Sequence, residues 1–292
     1  MAVAILAPWK LFCFGWCCLT DRDIAKLWPC YLLPEARKKG IEEVFVAAST
    51  ACYAELALAE AVERLADLSF GALEITIHEG SPQLTPEFVT AELEKSIAIC
   101  AHTNRMDVIA YDVIIAAEGE TYYQQFEAIC QLAKATKVIS VTVPSAELGT
   151  PFNEEIERLR RLVKMGIKAG INVSIRSQIG CLSENPDTVI SLCDNVEGLG
   201  ITLDPSHYIC GPYDERSCEK LMKYVSHVRL RDSTEQEMQV RVGQGIIEYG
   251  RLVNQLLKVD YRRALCVQIS ELPDIDHVGE LRKMRLLLES LL

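Results

Sequence analysis

An aspartate and a histidine directly follow an apolar run in the stretch ITLDPSHYICGP, residues 201–212. Asp204 ends the run, and His207 comes three residues later. A fold that places its active site at the C-terminal ends of its strands explains a charge and an imidazole at this point. A plain turn is the alternative, because the side chain of an aspartate accepts backbone N–H bonds and proline fixes φ. The choice between them depends on the fold that contains the stretch.

Short apolar runs rich in β-branched residues alternate with longer helical patterns from Val44 onward. The runs are VFVAAS (44–49), ALEITIH (72–78), DVIAYDVII (107–115), VISVTVP (138–144), NVSIRS (172–177), LGITLD (199–204), HVRLRD (227–232) and ALCVQIS (264–270). Between them, apolar residues recur at three- and four-residue spacing, as a helix packed on one face requires. Eight strand–helix units over about 250 residues match a (β/α)8 barrel.

An open, doubly wound sheet is the rival α/β fold. It usually carries a glycine-rich phosphate turn after its first strand, where this chain reads STACYAE without a glycine. We therefore predict a single (β/α)8 TIM-barrel domain over residues 44–292. Pro86 and Pro186 are predicted to begin helices, and Gly170 is predicted to end one.

Residues 1–43 differ in composition from the rest, with all three tryptophans and four of the twelve cysteines. Pro8 and Lys10 break their apolar run, which is too short to span a bilayer and lacks the pattern of a secretory signal. A packed cap, a segment that contacts a membrane through Cys17 and Cys18, and an upstream extension are the three interpretations. We favour the N-terminal extension, and we predict that the barrel folds without it.

The bulk composition excludes some partners. The 292 residues are 49% hydrophobic and carry a formal net charge of −11. Nucleic-acid affinity comes largely from lysine and arginine, so this acidic balance argues against a nucleic-acid partner. The cysteines form no CxxC pair and no zinc-finger spacing, which is typical of buried thiols in a reducing cytoplasm. We expect a cytoplasmic protein without stable membrane insertion, and the composition leaves oligomerisation open.

Side-chain alternation places one polar face on each of the last four strands. Arg176, Asp204, Arg229 and Gln268 lie near the ends of these strands on faces whose opposite sides are apolar. In a barrel, helices cover the outer face, so the polar set is predicted to point into the lumen together with Arg231. Solvated polar residues at strand ends are the alternative interpretation.

Four stretches together resemble the xylose-isomerase-like barrels. They are LDPSHYICGPYD (203–214), HVRLRDS (227–233), VGQG (242–245) and ALCVQISEL (264–272). That superfamily contains sugar and sugar-phosphate isomerases and epimerases, as well as apurinic endonucleases. In the isomerases, Glu, Asp, His and Glu from four strand tips hold one divalent metal, and the two glutamates move a proton on and off carbon.

The resemblance implies that most of this metal site has been replaced. The family's ligand positions correspond to Arg176, Asp204, Arg229 and Gln268, and its substrate-contacting histidine corresponds to His207. Only Asp204 remains as a ligand, and an arginine repels a cation. We expect no cofactor, or Mn²⁺ or Mg²⁺ where the family site is retained after all. Changing the three replaced residues to Glu, His and Glu is predicted to restore metal binding with Asp204 as the fourth ligand.

In place of a metal, the residues predict an ion cluster. Asp204 is expected to accept from Arg176 or Arg229, with Gln268 bridging. Neither an arginine nor a glutamine serves as a base, so Asp204 and His207 are the remaining catalytic candidates. Glu74 is a candidate for a relocated base, although a solvated loop position is the expected one.

A binding barrel is the function that we favour. Its pocket residues are Arg176, Asp204, His207, Arg229, Arg231 and Gln268. Arginines bind phosphate and carboxylate, so a small phosphorylated or carboxylated sugar-like molecule is the expected ligand. The VGQG loop is a further source of N–H groups for an anion. Pairing of the arginines with Asp204 and Asp232 is the structural alternative.

Two enzymatic alternatives remain. The first is an active isomerase or epimerase whose metal is displaced or absent. The second is a DNA-repair endonuclease, which needs additional histidine and aspartate ligands. The loop EMQVR (237–241) has no histidine where the extra ligands of that branch lie, and the net negative charge also opposes it.

Overall fold

The computed structural model describes residues 44–213 and 215–292. Eight parallel strands form a closed barrel in chain order, with the last strand paired to the first. They are β1 (Phe45–Ser49), β2 (Ala72–His78), β3 (Asp107–Ile114), β4 (Ser140–Val143), β5 (Asn172–Arg176), β6 (Leu199–Leu203), β7 (Val225–Leu230) and β8 (Ala264–Val267). The predicted (β/α)8 barrel is confirmed, and the open sheet is excluded.

Helices connect the strands. They are α1 (Leu58–Asp67), α2 (Pro86–Ala91), α3 (Leu93–Ala101), α4 (Gly119–Thr136), α5 (Phe152–Ala169), α6 (Pro186–Asn195), α7 (Ser206–Ile209), α8 (Tyr249–Lys258) and α9 (His277–Glu289). Among the described residues, three 3-10 segments add to them, at Thr50–Tyr53, Leu182–Glu184 and Glu215–Tyr224. The β6–β7 connection therefore combines the single-turn α7 with a 3-10 helix.

The predicted helix boundaries are confirmed. Pro86 is the first residue of α2, and the Thr85 side chain accepts from the N–H of the third helical residue. Pro186 begins α6 in the same way, behind the side-chain cap of Asn185. Gly170 ends α5 with φ of +77°, a left-handed conformation in which a side chain is strained.

The strands separate an apolar outer layer from a polar lumen. On β5, Val173 and Ile175 are buried in the main hydrophobic core. Ser174, on the opposite face, shares a hydroxyl cluster with Thr142 and Thr202, in which two oxygen–oxygen distances are 2.7 Å. These mutual hydrogen bonds matter because a buried hydroxyl without a partner is costly. The lumen is therefore built to hold polar side chains.

Small side chains fill the lumen near the N-terminal ends of the strands. Ala47, Ala72, Ala264 and Cys266 form a separate buried cluster there. Longer polar side chains occupy the layers nearer the C-terminal ends, where the catalytic sites of such barrels lie.

The N-terminal extension that the sequence predicts over residues 1–43 lies outside the described residues. In the part that the structure describes, no helix combines the length and the apolar character needed to cross a bilayer.

Candidate functional site

A polar cavity of about 260 Å³ opens at the C-terminal ends of β5 to β8. Its walls are formed by Arg176, Ser177, Gln178, Thr202, Asp204, His207, Arg229, Arg231 and Gln268. All six residues that the sequence predicts for ligand binding therefore lie around one cavity. The predicted orientation of the polar strand faces toward the lumen is confirmed.

Arg229, on β7, forms the centre of a buried ion cluster that crosses the barrel. Its Nε donates to both carboxylate oxygens of Glu74 at 3.0 Å, and its Nη2 donates to Glu74 Oε2 at 2.8 Å. The same Nη2 lies 2.9 Å from Asp112 Oδ1 on β3. Arg229 is 3% exposed and both acids are fully buried, so each charge in the cluster depends on the others.

The cluster keeps all three groups ionised. Burial is the largest single influence on the Glu74 and Asp112 carboxyls, and it raises their pKa. The Arg229 guanidinium and the neighbouring histidine and arginine groups together outweigh burial and bring both pKa values below their ordinary values. Burial alone lowers the pKa of Arg229, and the two carboxylates reverse this and raise it. Carboxylates held so firmly in the charged form are poor proton acceptors at neutral pH.

Two histidines lie against the same acids. His227 Nε2 is 2.9 Å from Glu74 Oε2, and His78 Nε2 is 2.9 Å from Asp112 Oδ2. His227 is buried, so it is a hydrogen-bonded histidine of the barrel core. The expectation that Glu74 is a solvated loop residue is wrong, because Glu74 belongs to β2 and points into the lumen.

Asp204 pairs with a different arginine from the two that the sequence suggests. Arg231 Nη2 lies 2.8 Å from Asp204 Oδ2, so the expected pairing with Arg176 or Arg229 is wrong. Gln268 Oε1 accepts from the same Nη2 at 3.4 Å and thus contacts Arg231 without bridging to Asp204. Burial raises the pKa of Asp204, but Arg231, His207 and the Ser206 hydrogen bonds together lower it.

Arg176 has the loosest charge pairing in the cavity. Its Nε donates to Gln178 Oε1 at 2.8 Å, and its Nη1 lies 3.5 Å from Asp112 Oδ2. Burial lowers the pKa of the guanidinium, and the more distant Asp112 only partly opposes this. Because arginine stays protonated, the consequence is a charge that lacks full compensation.

His207 is positioned as a hydrogen-bond donor. Its Nδ1 accepts from the Ile179 backbone N–H at 3.3 Å, which places the proton of the neutral ring on Nε2. Burial lowers its pKa, although Asp204 Oδ2 at 3.8 Å from Nε2 partly opposes the shift. A neutral ring with its proton on Nε2 gives a hydrogen bond to a ligand oxygen and does not take a proton there.

The VGQG loop serves Asp232, which rules out its expected role as an anion site. The backbone N–H groups of Gly243 and Gly245 donate to Asp232 Oδ2 at 2.7 and 3.0 Å. The close approach requires glycine, since a Cβ at Gly245 lies only 2.0 Å from Asp232 Oδ1. Asp232 is thus satisfied by backbone amides and is not the arginine partner that the structural alternative foresaw.

Asp112 is not among the candidates that the sequence provides, and Glu74 is among them only as a relocated base for which a loop position was expected. The signal for both is the two-residue alternation that identified the later strands. Along β2, Glu74 shares a face with Thr76 and His78, and along β3, Asp112 shares one with Ala110. Applied to β2 and β3, the alternation selects the two acids.

The side chains at the four positions that the resemblance assigns to metal ligands do not fit a divalent cation. Such a cation needs converging lone pairs from oxygen or nitrogen, whereas Arg176 and Arg229 present only N–H groups. A second group, Glu74, His227 and Cys266, brings three potential ligand atoms within 4.8 Å of one another. It does not fit either, because Arg229 already binds both Glu74 oxygens, and burial raises the pKa of the Cys266 thiol well above its usual range.

A closed parallel barrel with a polar cavity at the C-terminal ends of its strands defines the class of TIM-barrel proteins. Within this class, residues 62–285 match the family model of the xylose isomerase-like TIM barrel. The chain belongs to this family. No curated protein sequence matches the chain.

Solved structures share the fold at low sequence identity. A xylose isomerase-like TIM barrel protein from Mycobacterium smegmatis in complex with magnesium has a TM-score of 0.67 at 14% identity, over 85% of this chain and 96% of that one. The probable 3-DHS dehydratase AsbF from Bacillus anthracis has a TM-score of 0.66 at 13% identity, with coverages of 84% and 99%. D-allulose 3-epimerase from Methylomonas sp. has a TM-score of 0.66 at 12% identity, over 86% of this chain and 99% of that one. At these identities the likeness shows the fold alone.

Proposed function

We propose that the barrel binds a small phosphorylated or carboxylated sugar-like molecule in the cavity at the C-terminal ends of its strands, without a resident divalent metal. One observation carries the proposal: three guanidiniums line the cavity, but Asp204 is the single carboxylate in its wall. Glu74 and Asp112, the acids that neutralise Arg229, do not line the cavity and lie beneath it. Arg231 shares its charge with Asp204, so Arg176 is the guanidinium of the cavity with the least compensation and is the main group left to meet an anion.

Hydrogen-bond donors without partners support the same proposal. Arg231 Nε is buried and has no hydrogen-bond partner among the described residues. An unsatisfied buried donor costs free energy, so the protein satisfies this guanidinium only in part. The Nε2–H of His207 and the amides of Gln178 and Gln268 provide further groups suited to the hydroxyls of a sugar.

The sugar-like part of the proposal draws on the family. Structural neighbours include proteins described as an L-ribulose 3-epimerase, a D-allulose 3-epimerase and a 3-keto-D-glucoside 4-epimerase. Those names concern small polyhydroxylated substrates. In this chain, no carboxylate around the cavity has a raised pKa that suits a base, which favours binding over isomerisation.

Calorimetric titration with ribose 5-phosphate, glucuronate and uncharged ribose tests the proposal. Each titration is run in the presence of a chelator. We expect the two anions to bind and ribose to bind at least tenfold more weakly, because each charge-assisted hydrogen bond contributes about 1.5–3 kcal/mol. Arg176→Gln and Arg231→Gln are expected to weaken anion binding about tenfold or more. Arg160→Gln, at an exposed position on α5, is the matched control and is expected to leave affinity unchanged.

Two results contradict the proposal. In the first, ribose and ribose 5-phosphate bind with equal affinity, which means that the guanidiniums do not recognise the phosphate. The second result combines three findings: the wild-type chain binds Mn²⁺ tightly, mass spectrometry finds manganese, magnesium, cobalt or zinc in the protein, and an epimerase activity depends on that metal. Together they indicate that the protein is an active isomerase or epimerase.

A further inference from the structure

A second polar cavity lies at the opposite end of the barrel. Its volume is about 330 Å³, and it is lined by residues at the N-terminal ends of β5 to β8. Asn172 and Leu199 begin β5 and β6, Ser226 is the second residue of β7, and Arg263 immediately precedes β8. The proposed sugar site is at the other end of the same strands, so the two cavities are separated by the packed lumen.

Arg263 is the main charged group of this cavity. Its Nη1 donates to the Ser226 backbone oxygen at 3.0 Å. In the described part of the chain, no carboxylate forms an ion pair with it, and its remaining N–H groups are not enclosed by protein. They therefore face the open space of the cavity. Burial lowers the pKa of the guanidinium, which is the expected effect of partial removal from water without a counter-ion.

Of the other charged side chains around the cavity, Lys223 adds to its positive character. Lys223 also lines it, with Nζ lying 4.4 Å from the centroid of the Tyr224 ring. Arg262 is offset by Asp260, whose Oδ1 lies 3.0 Å from Arg262 Nη2. The lining thus contains three basic side chains and one acid, on a chain whose formal net charge is −11. Such a local reversal of charge concentrates small anions.

We propose that this cavity is a second anion site, which binds a phosphate group through Arg263 and Lys223. A phosphate offers several acceptor oxygens to the open N–H groups of a guanidinium, and it supplies the counter-charge that the described residues do not. Inorganic phosphate and the phosphate of a small metabolite share this chemistry. The proposal is independent of the sugar site, because none of its residues lines that cavity.

Titration of the full chain with inorganic phosphate, followed by calorimetry, tests the proposal. Arg263→Gln is expected to weaken one class of site about tenfold or more, because it removes a charge-assisted hydrogen bond. Lys223→Gln is expected to weaken the same class about two- to fivefold, since an exposed charge contributes less. Lys220→Gln changes another exposed lysine of the same 3-10 segment, outside the cavity, and is the matched control with unchanged affinity.

Hydrogen exchange locates the bound ion. Phosphate is expected to slow amide exchange in peptides covering residues 198–201 and 224–226, and this protection is expected to persist in Arg176→Gln. A repeat with ribose 5-phosphate separates the two sources: equal protection indicates a site for free phosphate, and stronger protection indicates a phosphorylated metabolite.

The outcomes are distinct. Loss of affinity in both Arg263→Gln and Lys223→Gln, but not in Lys220→Gln, supports the proposal. Unchanged phosphate affinity in Lys223→Gln, or protection confined to residues 176–181 and 204–207, overturns it. Because Lys223 is exposed, its variant decides the matter even where Arg263→Gln does not fold. Failure of the sugar site appears separately, as insensitivity to Arg176→Gln.

Discussion

Replacing Arg229 by methionine is the sharpest perturbation of the barrel. The substitution keeps an unbranched side chain but removes the guanidinium between Glu74 and Asp112, both of which are fully buried. Breaking a buried ion pair by deleting one partner costs about 3–5 kcal/mol, because a buried charge is left without compensation. For a domain of this size, such a loss corresponds to a melting temperature roughly 6–20 °C lower.

The stability of the wild type and that of Arg229→Met are expected to change with pH in opposite directions. In the wild type, the folded-state pKa values of Glu74 and Asp112 lie below their ordinary values. Their contribution to stability is therefore present above about pH 5 and is lost as the pH falls through the acidic range below about 4. In Arg229→Met, burial is no longer opposed by the guanidinium and raises both pKa values. The variant is then expected to lose stability as the pH rises from about 4 toward 7.

Denaturant unfolding of both proteins between pH 4 and 7 is the measurement. Adding Glu74→Gln and Asp112→Asn to Arg229→Met removes the stranded charges and is expected to recover most of the lost stability. Arg160→Met, at an exposed position, controls for the general loss of an arginine and is expected to change stability by less than about 0.5 kcal/mol. A loss below about 1 kcal/mol in Arg229→Met, or a stability that rises with pH in that variant, refutes the argument.

Three further predictions concern the metal, the N-terminal segment and a helix end. The triple variant Arg176→Glu, Arg229→His and Gln268→Glu is expected to bind Mn²⁺ or Mg²⁺ in calorimetry, whereas the wild-type chain is expected not to. The bound metal also replaces the lost guanidinium as the counter-charge. Adding a chelator is therefore expected to lower the melting temperature of the variant. Removal of residues 1–39 is expected to leave a folded barrel, and aggregation or a much lower melting temperature contradicts this. Gly170→Ala is expected to lower the free energy of unfolding by about 1 kcal/mol in denaturant titrations, because φ is +77° there.

Local pattern was enough to predict the architecture. A barrel strand buries one face under helices and turns the other into the lumen, so alternation in stretches such as NVSIRS and HVRLRD indicates both the strand and the direction of its side chains. The prolines and glycine at the ends of the helices act through their own backbone preferences. These signals lie within a few residues of the feature that they determine.

The pairing inside the cavity depends on contacts that no local pattern contains. Arg229 and Glu74 are 155 residues apart, and their contact depends on how the closed barrel staggers its strands. Arg229 and Arg231 share one face of the chain at β7, yet Arg229 reaches Glu74 and Arg231 reaches Asp204. The sequence pattern placed these arginines in one region of the lumen, and the layer of each arginine decided its partner.

A guanidinium and a divalent metal ion would give the cavity different chemistry. Both carry positive charge toward ligand oxygens, so the attraction for an anion or a carbonyl oxygen is retained. A metal ion also accepts lone pairs and lowers the pKa of a bound hydroxyl, whereas a guanidinium only donates hydrogen bonds. Its position also requires Glu74 and Asp112 to remain charged, which withdraws both acids from proton transfer. The geometry around Arg229 therefore favours recognition of an oxygen-rich anion over movement of a proton on and off carbon.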